Sequence, residues 1–415
     1  MNTINYTFNE HARKQPGKTL PAYLNADAAT AARNFHRTCE EYGTTPLRSL
    51  SRLSERLGVS AILVKDESYR FGLNAFKVLG AAFAIAKHMA ERLDMPIEQL
   101  SFDKLKSAEI KRKLGDITFI TATDGNHGRG VAWAAQQLGQ KAVVYMPKGS
   151  SPIRLRAIQA HGADAFITDL NYDECVKLCA DMAARLGWVV VQDTVWAGYE
   201  QIPAWILQGY STIALEATEQ MKEWGLAKPT HVFLQAGVGS FAAAIQGMFA
   251  SMYDSDRPTA VIVEPDKADC FYRSALATDG EARHVGGDMN TIMAGLACGE
   301  PNPVAWDLLR EHADLFVSCP DYVAAIGMRV LGNPLSDDPR VVSGESGAVT
   351  AGLLHLLLTD ERLREARDRL GLGADSVILL INTEGDTDPE HYRRVVWSGL
   401  YPSECEHDEA IERRG

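Results

Sequence analysis

Cysteine is scarce in this chain, and no cysteine lies in a paired motif. Seven cysteines are spread over 415 residues, and no CxxC occurs. This usage excludes a zinc ribbon, a thioredoxin-type redox motif and a small disulfide-stapled fold. We therefore expect no metal site and free thiols, with a pair between Cys270 and Cys298 left open.

Long apolar segments and an excess of positive charge are also missing. No apolar run is long enough to span a membrane, and the N-terminal MNTINYTFNEHARKQ lacks the apolar core of a signal peptide. Lysine and arginine number 42 against 54 aspartates and glutamates, which gives a net charge of −12. Because such a charge favours neither nucleic acid nor an anionic membrane, we expect a cytoplasmic protein with no partner of either kind.

What the chain does contain is a regular alternation of strand-like and helical segments. At roughly 150 residues per domain, its length allows two or three domains. Runs rich in valine and isoleucine, joined by helical crossovers, predict an α/β fold whose parallel sheets are buried on both faces. The predicted strands are AILVKD (61–66), ITFIT (117–121), AVVYM (142–146), AFIT (165–168), WVVVQD (188–193), HVFLQ (231–235), AVIVE (260–264) and SVILLIN (376–382).

A glycine-rich turn, AGVGS (236–240), follows the strand HVFLQ and precedes a helical segment. Backbone N–H groups in such a turn, together with the helix N-terminus, can bind a phosphate. A tight strand-to-helix turn is the structural alternative. The turn also fits G-x-G-x-x-A through Gly237, Gly239 and Ala242, with Glu264 ending the next strand. That pattern leaves an NAD-dependent dehydrogenase open as a different class of enzyme.

A second polar loop follows the strand ITFIT and contains Thr123, Asp124 and Asn126. Because ligands of open α/β sheets bind beyond the carboxyl ends of the strands, this loop is a candidate ligand site. Thr123 or Asp124 would equally serve as a helix cap, and both interpretations can hold together.

A single lysine, Lys77, begins the otherwise apolar helical segment VLGAAFAIA. One interpretation is a surface lysine whose stem lies along apolar surface. The other is a lysine desolvated for chemistry, because burial lowers a lysine pKa and frees its amine to react with a carbonyl group. Spacing alone favours the first interpretation.

The combination of these elements resembles the tryptophan-synthase-like (fold type II) family of pyridoxal-phosphate enzymes. That family has a strand ending in K-[DE]-E, then a lysine, an S/T-x-G-N-H loop and a glycine-rich phosphate loop, in this order. Longer strings are similar to its diaminopropionate ammonia-lyase group, and they extend over about 30–400. They include NAFKVLGA, TDGNHGRGVAWAAQQLG, VVQDTVWAGYEQIP, LQAGVGS, MAGLACGEPNP, SGESGA and NTEGDTD.

The resemblance implies a role for each matching residue. Lys77 would attach pyridoxal 5′-phosphate, Asn126 would hydrogen-bond its 3′ oxygen, and Thr383 would lie near its pyridine nitrogen, although Thr387 is close in sequence. The phosphate would be bound by Gly237, Val238, Gly239 and Ser240.

The resemblance also implies a reaction, because Asp124 stands where dehydratases of the wider family carry alanine or serine. Asp124 and Asp193 would be bases for opposite enantiomers of 2,3-diaminopropionate, with pyruvate and two ammonia as products. A serine or threonine dehydratase is the nearest alternative. The resemblance further implies two domains, a large one (1–80 and 198–400) and a small one (81–197), a polar tail (401–415) and a homodimer.

Overall fold

The protein folds around two β-sheets of different size. The computed structural model describes residues 3–12, 20–123 and 125–402. The strands in this part are β1 Asn5–Phe8, β2 Leu47–Ser49, β3 Ala61–Asp66, β4 Thr118–Ala122, β5 Lys141–Met146, β6 Asp164–Ile167, β7 Val189–Val190, β8 His231–Gln235, β9 Thr259–Pro265, β10 Leu315–Cys319 and β11 Val377–Asn382. Seven form the sheet β1-β10-β9-β8-β11-β3-β2, and four form the sheet β6-β5-β4-β7.

Helices cover the faces of both sheets. No helix among the described residues is long and apolar enough to cross a membrane. Their bounds are α1 Ala26–His36, α2 Ser51–Leu57, α3 Val78–Arg92, α4 Phe102–Leu105, α5 Ala108–Leu114, α6 Asn126–Gln137, α7 Pro152–Gln159, α8 Tyr172–Leu186, α9 Gln201–Tyr210, α10 Thr212–Glu223, α11 Ser240–Tyr253, α12 Cys270–Ala277, α13 Pro303–His312, α14 Asp321–Gly332, α15 Glu345–Thr359, α16 Arg364–Leu370 and α17 Pro389–Val396.

The α/β class predicted from the sequence is confirmed. Every strand pair is parallel except those of the edge strands β1 and β2, which pair antiparallel to β10 and β3. Strands β1, β2 and β10 go beyond the prediction; the first two are short edge strands of four and three residues. The segment predicted as a strand over 188–193 forms only β7, because the N–H of Gln192 donates to the Tyr199 hydroxyl at 2.8 Å. Asp193, predicted to end that strand, therefore lies beyond it.

The division of the strands between the two sheets is compatible with the predicted domains. All four strands of the smaller sheet lie inside 81–197, and all seven of the larger sheet lie outside it. Helix α3 packs against both α6 and α9, so it adjoins both halves. The domain limits themselves stay a prediction, and of the predicted tail, 403–415 lie outside the described residues.

A buried ion network fixes the end of β3 and the turn that leads to Lys77. Lys65 Nζ lies 2.7 Å from Glu216 Oε2, and Arg70 Nη2 lies 2.8 Å from the same oxygen. Arg70 Nε also contacts Glu67 Oε2 at 2.8 Å, and none of these four side chains is more than 1% exposed. The K-D-E string is therefore structural, since it ties β3 to helix α10.

We expect Glu216→Gln to destabilise the protein by about 3–5 kcal/mol, because it leaves the buried Lys65 and Arg70 without their shared carboxylate. The measurement is urea unfolding. Glu223→Gln, at an exposed position on the same helix, is the matched control and should change stability by less than about 0.5 kcal/mol. Equal unfolding midpoints for the two variants would contradict the role given to Glu216.

Candidate active site

A cavity of about 840 Å³ lies between the two sheets, at the ends of parallel strands from each sheet. Such crevices beyond the carboxyl ends of strands are where open α/β sheets bind ligands. The predicted site residues that the structure describes all line this cavity. They are Lys77, Asn126, Asp193, Gly237, Val238, Gly239, Ser240 and Thr383.

Lys77 and Asp193 form an ion pair in the cavity. Lys77 directly precedes the first turn of α3, and its Nζ contacts Asp193 Oδ2. The Lys77 side chain is 19% exposed and that of Asp193 only 3%. Burial alone would raise the pKa of the Asp193 carboxyl, but the charges of Lys77 and His127 lower it to about 2. Asp193 is thus a buried carboxylate that stays ionised at neutral pH.

Asp193 is also tied to the glycine-rich turn. The Ser240 hydroxyl donates to the backbone carbonyl of Asp193, and Asn302 Nδ2 donates to Ser240 Oγ at 2.8 Å. Asn302 in turn donates its backbone N–H to the Val238 carbonyl at 2.9 Å. These contacts couple the position of the carboxylate to the position of the turn.

The turn itself has the form of an anion cradle. Gly239 adopts a φ of 89°, and a Cβ at this position would lie 2.2 Å from the Phe271 ring, so a side chain is excluded. Helix α11 begins directly after it at Ser240. The first amides of a helix have no acceptor within the helix, and with the helix dipole they favour a phosphate group. The donor set therefore fits the phosphate of pyridoxal phosphate.

Two further side chains hold the residues that the sequence predicts to meet the cofactor ring. Asn126 Nδ2 donates to the buried Glu384 carboxylate, which also accepts the Ser346 N–H at 3.2 Å. Thr383 Oγ1 accepts a hydrogen bond from Gln235 Nε2 at 2.8 Å. Thr383 lines the cavity, and the alternative Thr387 does not.

Side chains from the part of the chain that holds the smaller sheet contact side chains from the part that holds the larger sheet, at one side of the cavity. Arg154 of α7 donates to Thr387 Oγ1 at 3.3 Å and lies 4.0 Å from Glu345 Oε2. Glu345 Oε1 lies 2.5 Å from His391 Nδ1, and this contact raises the pKa of His391. Ser151 completes the set by donating to Asp388 Oδ2 at 3.1 Å. These contacts link the two halves of the molecule beside the cavity.

Glu264 does not have the position that a dinucleotide site needs. It is fully buried, and its two carboxyl oxygens accept the N–H groups of Phe271 and Tyr272 at 2.9 and 2.7 Å. Burial raises the pKa of this carboxyl to about 8. Glu264 therefore caps the start of helix α12 and does not face a ribose.

The structure brings the predicted site residues into one cavity, apart from Asp124, which lies outside the described residues. It adds Glu384 and Gln235 to the lining, and it places Asn302 and Tyr210 behind the lining, in contact with Ser240 and Asp193. The sequence analysis did not single out any of these four. Asn302 does fall in the string MAGLACGEPNP and Glu384 in NTEGDTD, so those strings were a usable signal. The six cysteines of the described part are buried free thiols.

The chain is similar to known proteins in both sequence and structure. A model of the pyridoxal-phosphate dependent enzyme family matches residues 39–383. The chain is 55% identical over 385 residues to a diaminopropionate ammonia-lyase of Escherichia coli K12, covering 93% of this chain and 95% of that protein. It is 50% identical over 397 residues to one of Salmonella typhimurium, covering 95% and 98%. The crystal structure of the Escherichia coli enzyme in complex with D-serine superposes with a TM-score of 0.90 at 51% identity, covering 96% of this chain and 98% of that one.

Proposed function

The chain belongs to the family of pyridoxal-phosphate dependent enzymes, and we propose that it eliminates ammonia from 2,3-diaminopropionate. Both the D and the L enantiomer are substrates, and with one water each gives pyruvate and two ammonia. The observation that carries this proposal is the Lys77–Asp193 ion pair in the cavity next to the anion cradle. Relatives with the same activity in their names, alike over nearly the whole chain, support it.

Pyridoxal phosphate is the cofactor, and when bound it supplies an electron sink for negative charge at the substrate Cα. Lys77 Nζ would attach it, and residues 237–240 with the start of α11 would bind its phosphate. Asn126, oriented by Glu384, would bind the ring's 3′ oxygen. Thr383 would lie near the pyridine nitrogen, where a neutral hydroxyl donates or accepts without adding charge.

Asp193 is the proposed base for the L enantiomer. Its carboxylate is ionised and within contact of Lys77 Nζ, the atom that marks where the cofactor is attached. A base must lie within hydrogen-bond reach of the proton that it takes, and Asp193 Oδ2 lies beside the amine that the amino group of the substrate would replace on the cofactor. Asp124 is the proposed base for the D enantiomer, from the opposite face.

The departure of the β-amine explains why a carboxylate is useful here. An amine leaves readily only as ammonia, so the β-nitrogen must carry an extra proton when the carbon–nitrogen bond breaks. A carboxylate in the site holds that nitrogen as an ammonium ion by charge-assisted hydrogen bonding. A hydroxyl leaving group does not need this cation site, so the carboxylates favour a diamine over serine.

The remaining alternatives have less support. A dehydrogenase would need Glu264 at a ribose, whereas its carboxyl is buried against helix α12, which speaks against a dinucleotide site. A serine or threonine dehydratase would share Lys77, Asn126 and the anion cradle, but its hydroxyl leaving group would not need a carboxylate to hold a cation in the site. We further propose a cytoplasmic homodimer, for which light scattering should give twice the chain mass of 45.4 kDa.

Initial rates of pyruvate release test the function directly. The purified holoenzyme is given L- and D-2,3-diaminopropionate in separate reactions, with L-serine, D-serine and L-threonine in parallel. We expect both diamine enantiomers to exceed every hydroxyl substrate in kcat/KM. Release from serine or threonine alone would support the dehydratase alternative instead.

A further inference from the structure

A tyrosine that the reaction scheme does not use lies directly behind Asp193. The Tyr210 hydroxyl donates to Asp193 Oδ2 at 3.3 Å, the oxygen that also contacts Lys77. Lys77 Nζ is 5.7 Å from the centre of the Tyr210 ring. Tyr210 is completely buried and does not line the cavity, as far as the chain is described. It therefore reaches the reaction only through Asp193.

The fold makes room for this tyrosine at a helix crossing. Helices α3 and α9 approach so closely that a Cβ at Gly209 would lie 2.5 Å from the Leu79 carbonyl oxygen. A Cβ at Gly80 would lie 2.6 Å from Tyr210 Cε1. Both positions must be glycine if the last residue of α9 is to point its ring under Lys77. The Phe76 ring packs against the Tyr210 ring, and the two ring centres are 4.8 Å apart.

The hydroxyl matters because Asp193 would lose its lysine partner when the cofactor is bound. Lys77 is the cation that contacts the carboxylate in the structure, but its amine would be committed to the cofactor in the loaded enzyme. Burial and the neighbouring Asp193 charge keep the Tyr210 pKa well above its ordinary value, so the hydroxyl always carries its proton. Tyr210 is thus a neutral donor whose hydrogen bond does not depend on the state of Lys77.

We propose that Tyr210 is a positioning residue that holds the Asp193 carboxylate in place to take the α-proton of the L enantiomer. The proposal rests on the proposed function, in which Asp193 serves L and Asp124 serves D. It predicts that loss of one oxygen atom at Tyr210 changes turnover of one enantiomer and leaves the other intact. A role confined to packing would not distinguish the two.

The test is Tyr210→Phe, which keeps the ring and its contacts with Phe76 and Gly80. We expect kcat for L-2,3-diaminopropionate to fall about tenfold to a hundredfold, as for loss of a hydrogen bond to a charged group. The rate with the D enantiomer should stay within about twofold. Because proton abstraction becomes slower, the isotope effect with α-deuterated L substrate should increase. The affinity for pyridoxal phosphate, measured by titration of its absorbance, should not change.

Tyr392→Phe is the matched control, since Tyr392 is a buried tyrosine whose hydroxyl has no hydrogen-bond partner among the described residues. It should leave both enantiomers unchanged. Equal losses for L and D in Tyr210→Phe, or no loss for either, would overturn the proposal. Asp193→Asn, assayed beside it, separates the two levels. If Asp193→Asn spares the L enantiomer, the base assignment itself fails; if it abolishes L turnover while Tyr210→Phe has no effect, only the Tyr210 proposal fails.

Discussion

Lys77→Ala and Lys77→Arg should both lose at least about a thousandfold in kcat with either enantiomer of 2,3-diaminopropionate. Alanine removes the amine and leaves the buried Asp193 carboxylate without its cation. Arginine keeps a cation opposite Asp193, but a guanidinium does not give up its proton and offers no free amine. Loss in both variants therefore reports the amine chemistry, and loss in alanine alone would report the ion pair.

Borohydride reduction followed by peptide mass spectrometry supplies the second measurement for Lys77. The wild-type protein should carry the reduced cofactor on the peptide that contains Lys77, and neither variant should carry it anywhere. Lys87→Arg, on the same helix, is the control and should retain activity and cofactor. Turnover by Lys77→Arg at a rate near that of the wild type would refute Lys77 as the attachment site.

Asp193→Asn should lower kcat for the L enantiomer by about 10² to 10⁴, the usual contribution of a general base. The amide keeps the shape and the contact with Tyr210 but cannot accept a proton, so the effect belongs to chemistry more than to folding. The D enantiomer should keep most of its rate. Asp124→Asn should show the reverse preference, and each variant is thereby the control for the other.

A third variant controls for effects that are not specific to the site. Asp181→Asn, at an exposed position on helix α8, should leave the rates with both enantiomers at the wild-type level. Equal losses for L and D in Asp193→Asn would mean that Asp193 serves a step common to both enantiomers. The assignment of one carboxylate to each enantiomer would then be wrong.

The fold was largely predictable because buried parallel strands carry a strong local signal. AILVKD and HVFLQ form strands with the predicted bounds, since valine, isoleucine and leucine on both faces leave few other structures. The short edge strands β1 and β2 give no such signal because tertiary contacts decide them. For the same reason the strand predicted over 188–193 was too long, since the Tyr199 hydroxyl takes the place of a strand partner at Gln192.

The candidate site was predictable where its residues belong to contiguous sequence motifs. It was less predictable where residues far apart in sequence come into contact. Lys77, Asn126 and the turn at 237–240 follow from strings in the sequence. Tyr210 lies at the end of an ordinary apolar helix, and only the α3–α9 crossing brings its hydroxyl to Asp193. Glu384 reaches Asn126 from 258 residues away in sequence, a contact that no local pattern encodes.

The most direct test of the account is the ratio of ammonia to pyruvate released by the wild-type holoenzyme from each enantiomer of 2,3-diaminopropionate. The account predicts two ammonia for every pyruvate with both L and D, because the β-nitrogen leaves first and the α-nitrogen leaves on hydrolysis of the three-carbon product. A ratio of one would show that one of the two nitrogens is transferred to another acceptor, and it would contradict release of both as ammonia. No pyruvate from either enantiomer would contradict elimination of ammonia at the Lys77 site altogether.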